Sequence, residues 1–432
     1  MDYFGLLLLF CAGIVTIKKD IWGMCFFMAV RILIPENIRF IVSSISLNTA
    51  VFLCVFFVVL VKRCRGGKIK IASKSFPIFL LFLVIYFAIV LPISDFGDLL
   101  LQYELLIKYI ITELLPPICL FICIKNKKDV YIFVKFYMII SMVCCVYGLL
   151  VVFLKGYNPY VFFLTKESQY LNTWKGLSSN STFVSTNSFG YYLTMSFPFC
   201  FYVYKAFYKK RWVCILLILQ VLCIIFSKKR SALICLVFYC FMYVLFNMNK
   251  RKTKMVLFLF GFSVFLFVIS LALPPFKAMR DFVLSSLLFW NDNAIKGLTT
   301  SDLGSSWSLR VTQVIYPYVE IKDNLLFGHG FGWCSWYLEK HQLHWPLFGF
   351  ETIFASGICE YGIMGFVVFF CIFYFSYKNI QYKEKSVQNY SLMFILTVLL
   401  MAIATGFNYY YLFFSLIVVM GYLTRYKKME KH

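Results

Sequence analysis

Thirteen stretches of this chain are apolar over about the length needed to cross a bilayer, and that repetition decides what it can fold into. A spanning helix needs about 20 apolar residues, within a range of about 17–25. Candidate spans lie near 2–17, 21–35, 44–61, 77–94, 103–124, 131–154, 186–205, 212–227, 231–248, 255–274, 352–375, 391–406 and 408–424. The first two are short, so the expected number is 12 or 13. Composition points the same way. Of 432 residues, 62% are hydrophobic and 14% charged, against about 45–50% and about 25% in a soluble domain. Too few polar residues remain to coat a soluble core of this size. The sequence therefore predicts an all-α integral membrane protein.

The net charge of +23 invites a nucleic-acid reading, and the placement of the charges excludes it. They sit in short clusters between apolar stretches, such as Lys62-Arg63-Cys64-Arg65 and Lys250-Arg251-Lys252-Thr253-Lys254. No basic patch interleaved with exposed aromatics is built on a folded domain. Clusters of this kind mark cytoplasmic loops. With the C-terminus assigned to the cytoplasm and the spans alternated backwards, cytoplasmic segments hold 26 of the 42 Lys and Arg, external ones 13 and the spans three. The N-terminus then lies outside.

Fourteen of the 16 cysteines fall in apolar stretches, where Cys behaves as a small hydrophobe. Cys64 and Cys334 fall in predicted loops on opposite sides, so no disulfide framework or metal pair is expected. The first apolar stretch lacks a basic leader and is followed by Lys18-Lys19, which reads as a retained helix. The chain divides into spans and short loops over 1–274, a large external loop over 275–350, further spans over 351–424 and a tail over 425–432. The loop opens at Pro274-Pro275, which ends the preceding helix. Within it, Ser305 or Ser306 is a candidate N-cap for an amphipathic helix with Trp307, Val311, Val314, Ile315 and Tyr318 on one face.

Several residues are candidates for chemistry. Lys228-Lys229-Arg230 sits at the external turn of a tight hairpin, where positive charge is disfavoured. Such side chains either snorkel to anchor helix ends or hold an anion; an arginine fork can grip two phosphate oxygens. Arg310 lies beside the aromatic stripe of the loop helix, as a solvated charge or as a second grip on the same anion. Glu351 stands where the loop returns to the membrane, a costly place for a carboxylate without a partner or a function. Burial there would suit a general base, and an interfacial salt bridge is the structural alternative. Glu360 lies nine residues on, about half a turn round the helix from Glu351, which argues against a carboxylate pair. His329, His341 and His344 share the loop, but His-x-x-His without further ligands is a weak metal signal. Arg31, Glu104, Lys108, Glu113 and Lys135 are charges in or near spans; Glu104 and Lys108 are spaced to pair.

Four segments together resemble the O-antigen polymerase and O-antigen ligase superfamily. Ser227-Lys228-Lys229-Arg230-Ser231 is similar to its short "SR" hairpin. Thr182 to Gly190 resembles its "TF-x-N-P-N" opening of a span, without the proline. Arg310 followed by Asn324-Leu325 and Gly328-His329-Gly330-Phe331-Gly332 is similar to "R…NPL-x-G-x-G", and Glu351 to Gly365 is similar to the "HN…E-x-G-I-x-G" helix that follows the loop. These segments stand in the family's order over about 180–365. The resemblance implies a GT-C-like, metal-independent glycosyltransferase of the bacterial inner membrane, without cofactors, acting at the periplasmic face on undecaprenyl-pyrophosphate-linked oligosaccharides. Its partners would be those glycans, membrane lipids and a chain-length regulator protein, with no nucleic acid. By that analogy Arg230, Lys229 and Arg310 bind the pyrophosphate, Arg310 also steadies the leaving charge, and Glu351 or His344 activates the acceptor hydroxyl. Glu351-Thr352 stands where the ligase pattern has His-Asn, which favours the polymerase branch over a ligase. A flippase is the rival of another class, but no internal repeat of the transporter kind is visible.

Overall fold

The computed structural model describes residues 2–35, 38, 45–65, 99–155, 157–165, 179–247, 261, 324–340, 352–380, 384–405 and 409–429. Among these, the chain is helical with no strands, and the protein is an all-α integral membrane protein. In chain order the helices are α1 (Asp2–Lys18), α2 (Asp20–Leu33), α3 (Leu47–Cys64), α4 (Leu99–Tyr109), α5 (Leu115–Cys123), α6 (Lys127–Phe153), α7 (Pro159–Thr165), α8 (Thr186–Ala206), α9 (Arg211–Phe226), α10 (Arg230–Asn247), α11 (Trp333–Lys340), α12 (Ile353–Ile380), α13 (Lys385–Thr405) and α14 (Tyr410–Met429). The predicted spans near 77–94 and 255–274, and the amphipathic helix predicted around Arg310, lie outside the described residues.

Among the described residues, five segments are long and apolar enough to cross a membrane: Leu47–Cys64, Leu99–Cys123, Lys127–Phe153, Ala355–Ile380 and Val387–Thr405. Shorter apolar helices cover Tyr3–Lys18, Arg211–Phe226 and Ser231–Phe246. Leu99–Cys123 is one element because α4 and α5 are joined by a π-helical turn, Ile110–Leu114. Pro116 and Pro117 follow that turn and have no N–H to give the regular ladder, so the helix widens there.

α14 is the axis of the bundle. It is buried on every side from Tyr411 to Thr424 and packs against α5, α6, α8 and α12. A helix that is apolar all round belongs in such a place. α1 is peripheral: it packs on α2 and α3 and leaves Leu6, Leu7, Phe10, Ile14 and Ile17 exposed, a face suited to lipid. α13 packs between α8, α10 and α12.

The two ends of the bundle differ in chemistry. At the lower end, Asp20 at the start of α2 receives Lys62 (2.5 Å), Lys125 (2.8 Å) and Arg63 (3.4 Å). Lys19 pairs with Asp129 at 2.7 Å. Asp129 also closes a capping box with Asn126 at the start of α6. Arg63 donates to the Ile122 carbonyl at 2.8 Å. These contacts tie the α1–α2 and α5–α6 connections to the end of α3. The upper end carries the N-terminus of α14 and the candidate site.

Candidate functional site

The polar segment before α8 is buried at the upper end with its hydrogen bonds met. Ser179, Asn180, Ser181 and Thr182 are each 5% exposed or less. Their side chains donate to helix and loop carbonyls: Ser179 to Gly148 (2.7 Å), Ser181 to Cys144 (2.6 Å), Thr182 to Ile32 (2.7 Å) and Asn180 to Phe183 (2.8 Å). Asn158 completes the clamp through its amide to Asn180 Oδ1 and the Ser181 carbonyl. Every hydroxyl has a partner, so the stretch can be buried at little cost. Ser185 then caps α8 by accepting the Ser188 N–H at 3.1 Å. Thr186 is the first helical residue, the position where proline is best tolerated in a helix.

The basic hairpin sits against this segment. The Ser179 N–H donates to the Phe226 carbonyl at the end of α9 (3.0 Å). Lys228 turns the chain with φ 53°, and Ser227 closes the corner by donating to the Ile224 carbonyl. The aliphatic stem of Lys229 lies over Gly190 so closely that a Cβ on the glycine would come within 3.2 Å of it. Gly190 and Lys229 belong to two of the segments singled out in the sequence, and the fold sets them face to face. Arg230 begins α10; its side chain, like Arg310, His344 and Glu351, lies outside the described residues.

The third and fourth segments also meet. The loop Asn324–Gly332 docks by its backbone onto a break in α12. His329 N–H donates to the Cys359 carbonyl (2.7 Å) and Gly330 N–H to that of Glu360 (3.0 Å). In return, Ile363 and Met364 donate to Leu325 and Leu326 (3.0 and 3.1 Å). This two-way exchange needs free carbonyls and N–H groups in the middle of a helix. Gly362 provides them, with φ 61° and ψ −162°, a conformation that side chains other than hydrogen do not tolerate. A Cβ on Gly362 would lie 2.5 Å from the Leu326 backbone, and one on Gly328 would lie 2.7 Å from the Gly362 nitrogen.

Glu360 sits under the docked loop. Its Oε1 accepts the Cys334 N–H in the first turn of α11 (3.3 Å). Glu113 makes the matching contact to α14, accepting the Tyr411 N–H at 3.0 Å. A carboxylate suits the positive end of a helix in both places. Glu113 also pairs with Arg31 at 3.1 Å, and the Arg31 guanidinium lies 4.5 Å above the Tyr411 ring. The run Tyr409-Tyr410-Tyr411 joins the parts of the upper end. Tyr409 packs on Tyr191 of α8, Tyr410 on Tyr109 of α4, and Tyr109 on Phe331 of the docked loop. Tyr191 donates its hydroxyl to the Thr405 carbonyl at the end of α13 (2.7 Å).

Aromatic rings can serve as platforms for sugar faces, and α11 carries three, Trp333, Trp336 and Tyr337. Trp333 is not one: it is 5% exposed, with His329 stacked at 4.5 Å and Tyr337 at 4.7 Å. His329 is thereby engaged in aromatic packing, while His341 lies outside the described residues. Glu360 was weighed in the sequence only as a partner for Glu351, and the pairing of Arg31 with Glu113, 82 residues apart, had no local signal.

Residues 213–370 match the family model described as O-antigen ligase. The match covers 158 of the 432 residues and is consistent with the O-antigen polymerase and ligase superfamily. The match runs from α9 through the hairpin to the middle of α12, so it takes in Lys229, the docked loop and the Gly362 break. Members of this family are glycosyltransferase-like enzymes. No curated protein matches the chain significantly.

Proposed function

We propose that the protein is an O-antigen or related surface-polysaccharide polymerase, joining undecaprenyl-pyrophosphate-linked repeat units at the periplasmic face of the inner membrane. The bond from the donor's reducing-end sugar to pyrophosphate breaks, and that carbon bonds to a hydroxyl on the nonreducing sugar of a fresh lipid-linked unit. Undecaprenyl pyrophosphate leaves. Arg230, Lys229 and Arg310 hold the pyrophosphate and offset its growing charge. Glu351 or His344 takes the acceptor proton. The periplasmic side follows from the excess of Lys and Arg on the opposite loops.

The observation that carries the polymerase reading is Glu351-Thr352 where the ligase pattern has His-Asn. The matched family's description keeps the ligase as the second reading, transferring the finished chain to lipid A-core. Purified protein in liposomes with lipid-linked repeat units tests the choice. Products of two or more repeats with release of undecaprenyl pyrophosphate support the polymerase. Transfer only to added lipid A-core supports the ligase, and movement of lipid without new glycosidic bonds supports a flippase. Arg230→Ala and Arg310→Ala should each abolish polymer at unchanged protein level. Normal polymer from either variant removes that residue from the site.

A further inference from the structure

Cys334 and Cys359 come from elements that meet only in the folded protein, one in the docked loop helix α11 and one in α12. They are 6% and 0% exposed and share a small cluster with Trp333 and Ile358. The geometry brackets the pair closely. Cys334 N–H reaches Glu360 Oε1 (3.3 Å), Cys334 Sγ lies 3.8 Å from the Ser356 carbonyl, and Cys359 stands between those two residues on α12. Both cysteines stand as free thiols. The His329 N–H bond to the Cys359 carbonyl holds the two backbones together. Other cysteines in contact lie within the bundle, such as Cys145 and Cys223 on α6 and α9, whereas this pair sits where the loop joins the upper end.

We propose that Cys334 and Cys359 are a dithiol pair that closes to a disulfide, fastening the loop onto the broken helix beneath it. The inference rests on the reading above that places this end in the periplasm, where thiols are oxidised. The oxidant is a disulfide-bearing exchange partner. One cysteine thiolate attacks it, breaking its S–S bond and forming a mixed disulfide. The other thiolate then attacks the cysteine sulfur of that mixed disulfide, forming Cys334–Cys359 and expelling the partner's second sulfur. The two protons lost by the cysteines end on the partner's two thiols. Because both sulfurs are buried once the loop is down, exchange precedes docking. The two cysteines are 25 residues apart in sequence, so the link closes a short loop.

The test uses the full chain, isolated without reductant, alkylated and digested with trypsin. Cleavage after Lys322, Lys340 and Lys378 puts Cys334 in one peptide and Cys359 with Cys371 in another. The expected result is one linked mass that separates on reduction, persists in Cys371→Ser, and disappears in Cys334→Ser and in Cys359→Ser. Alkylated Cys334 and Cys359 in the isolated protein overturn the proposal. Treating purified, reduced protein with diamide then says why. A 334–359 link formed by diamide means the geometry holds and the assignment to an oxidising compartment fails, while no link means the pairing itself fails.

Discussion

The lower and upper ends of the bundle solve the burial of polar groups in opposite ways. At the lower end charge meets charge: one carboxylate, Asp20, gathers three cations from two other connections. At the upper end one ion pair, Arg31 with Glu113, stands beside carboxylates that cap helix N-termini and a loop held by backbone bonds through glycines. In the first arrangement carboxylates and cations are paired with one another. The second sets the basic hairpin against α8 and the docked loop against Tyr109, with Tyr191, Tyr409 and Tyr410 joining the parts. On the proposed reading, the ion-paired end is scaffold and the candidate site lies at the other end.

Removing Asp20 should have the largest effect on stability. Asp20→Asn leaves Lys62, Lys125 and Arg63 around a neutral amide, and breaking a buried ion pair costs about 3–5 kcal/mol. The melting temperature in detergent should fall steeply, with activity per folded molecule unchanged. Burial pushes the Asp20 carboxyl up, but hydrogen bonds and charges from Lys125 and Lys62 outweigh it and hold the group below its ordinary value of 3.8. The stabilisation is therefore present above the ordinary value and lost as pH falls through the lowered one. Melting curves of the two proteins should converge on acidification; a constant gap would mean the charge of Asp20 is not what stabilises the end.

Gly362→Ala sharpens the contrast from the other side. Its backbone conformation costs a residue with a side chain about 1–3 kcal/mol, and the added Cβ strikes the Leu326 backbone. The loop should undock while the lower end stays intact. Protease cleavage near 324–332 should rise, polymer should fall at least about tenfold, and the melting temperature should move less than in Asp20→Asn. Smaller again, Glu113→Gln weakens the grip on Arg31 and the α14 N-terminus by about 1.5–3 kcal/mol, the scale of a hydrogen bond to a charged group. Tyr191→Phe deletes one hydrogen bond to Thr405 and should cost about 1 kcal/mol, a shift of a few degrees in the same melting assay. A Tyr191→Phe loss as large as that of Gly362→Ala would mean the tyrosines do more than join helices.

Much of the fold was legible because a spanning helix writes its length directly into the sequence. Helices α3, α6, α8, α10 and α13 fall where the apolar runs predict them. The π turn had a local cause in Pro116-Pro117, yet its consequence, placing Glu113 toward Arg31 and Tyr411, depends on helices far away in the chain. Of the site, the hairpin and the glycine-rich loop could be named from their letters, and Gly190 against Lys229 gives two of those letters a common place. Their meeting could not be read, because a backbone-to-backbone dock leaves no side-chain pattern. Trp333 shows the converse: an aromatic in a loop looks like a platform until both of its faces are found covered. Cys359 was read as a span residue and is one, and its packing on Cys334 had no local signal.

The most direct measurement of the central claim is the lipopolysaccharide banding pattern after deletion of the gene. The account predicts core bearing a single repeat unit, because ligation continues when polymerisation is lost. Bare core with lipid-linked polymer accumulating in the membrane would contradict it in favour of a ligase, and an unchanged ladder would contradict a role in this polymer altogether.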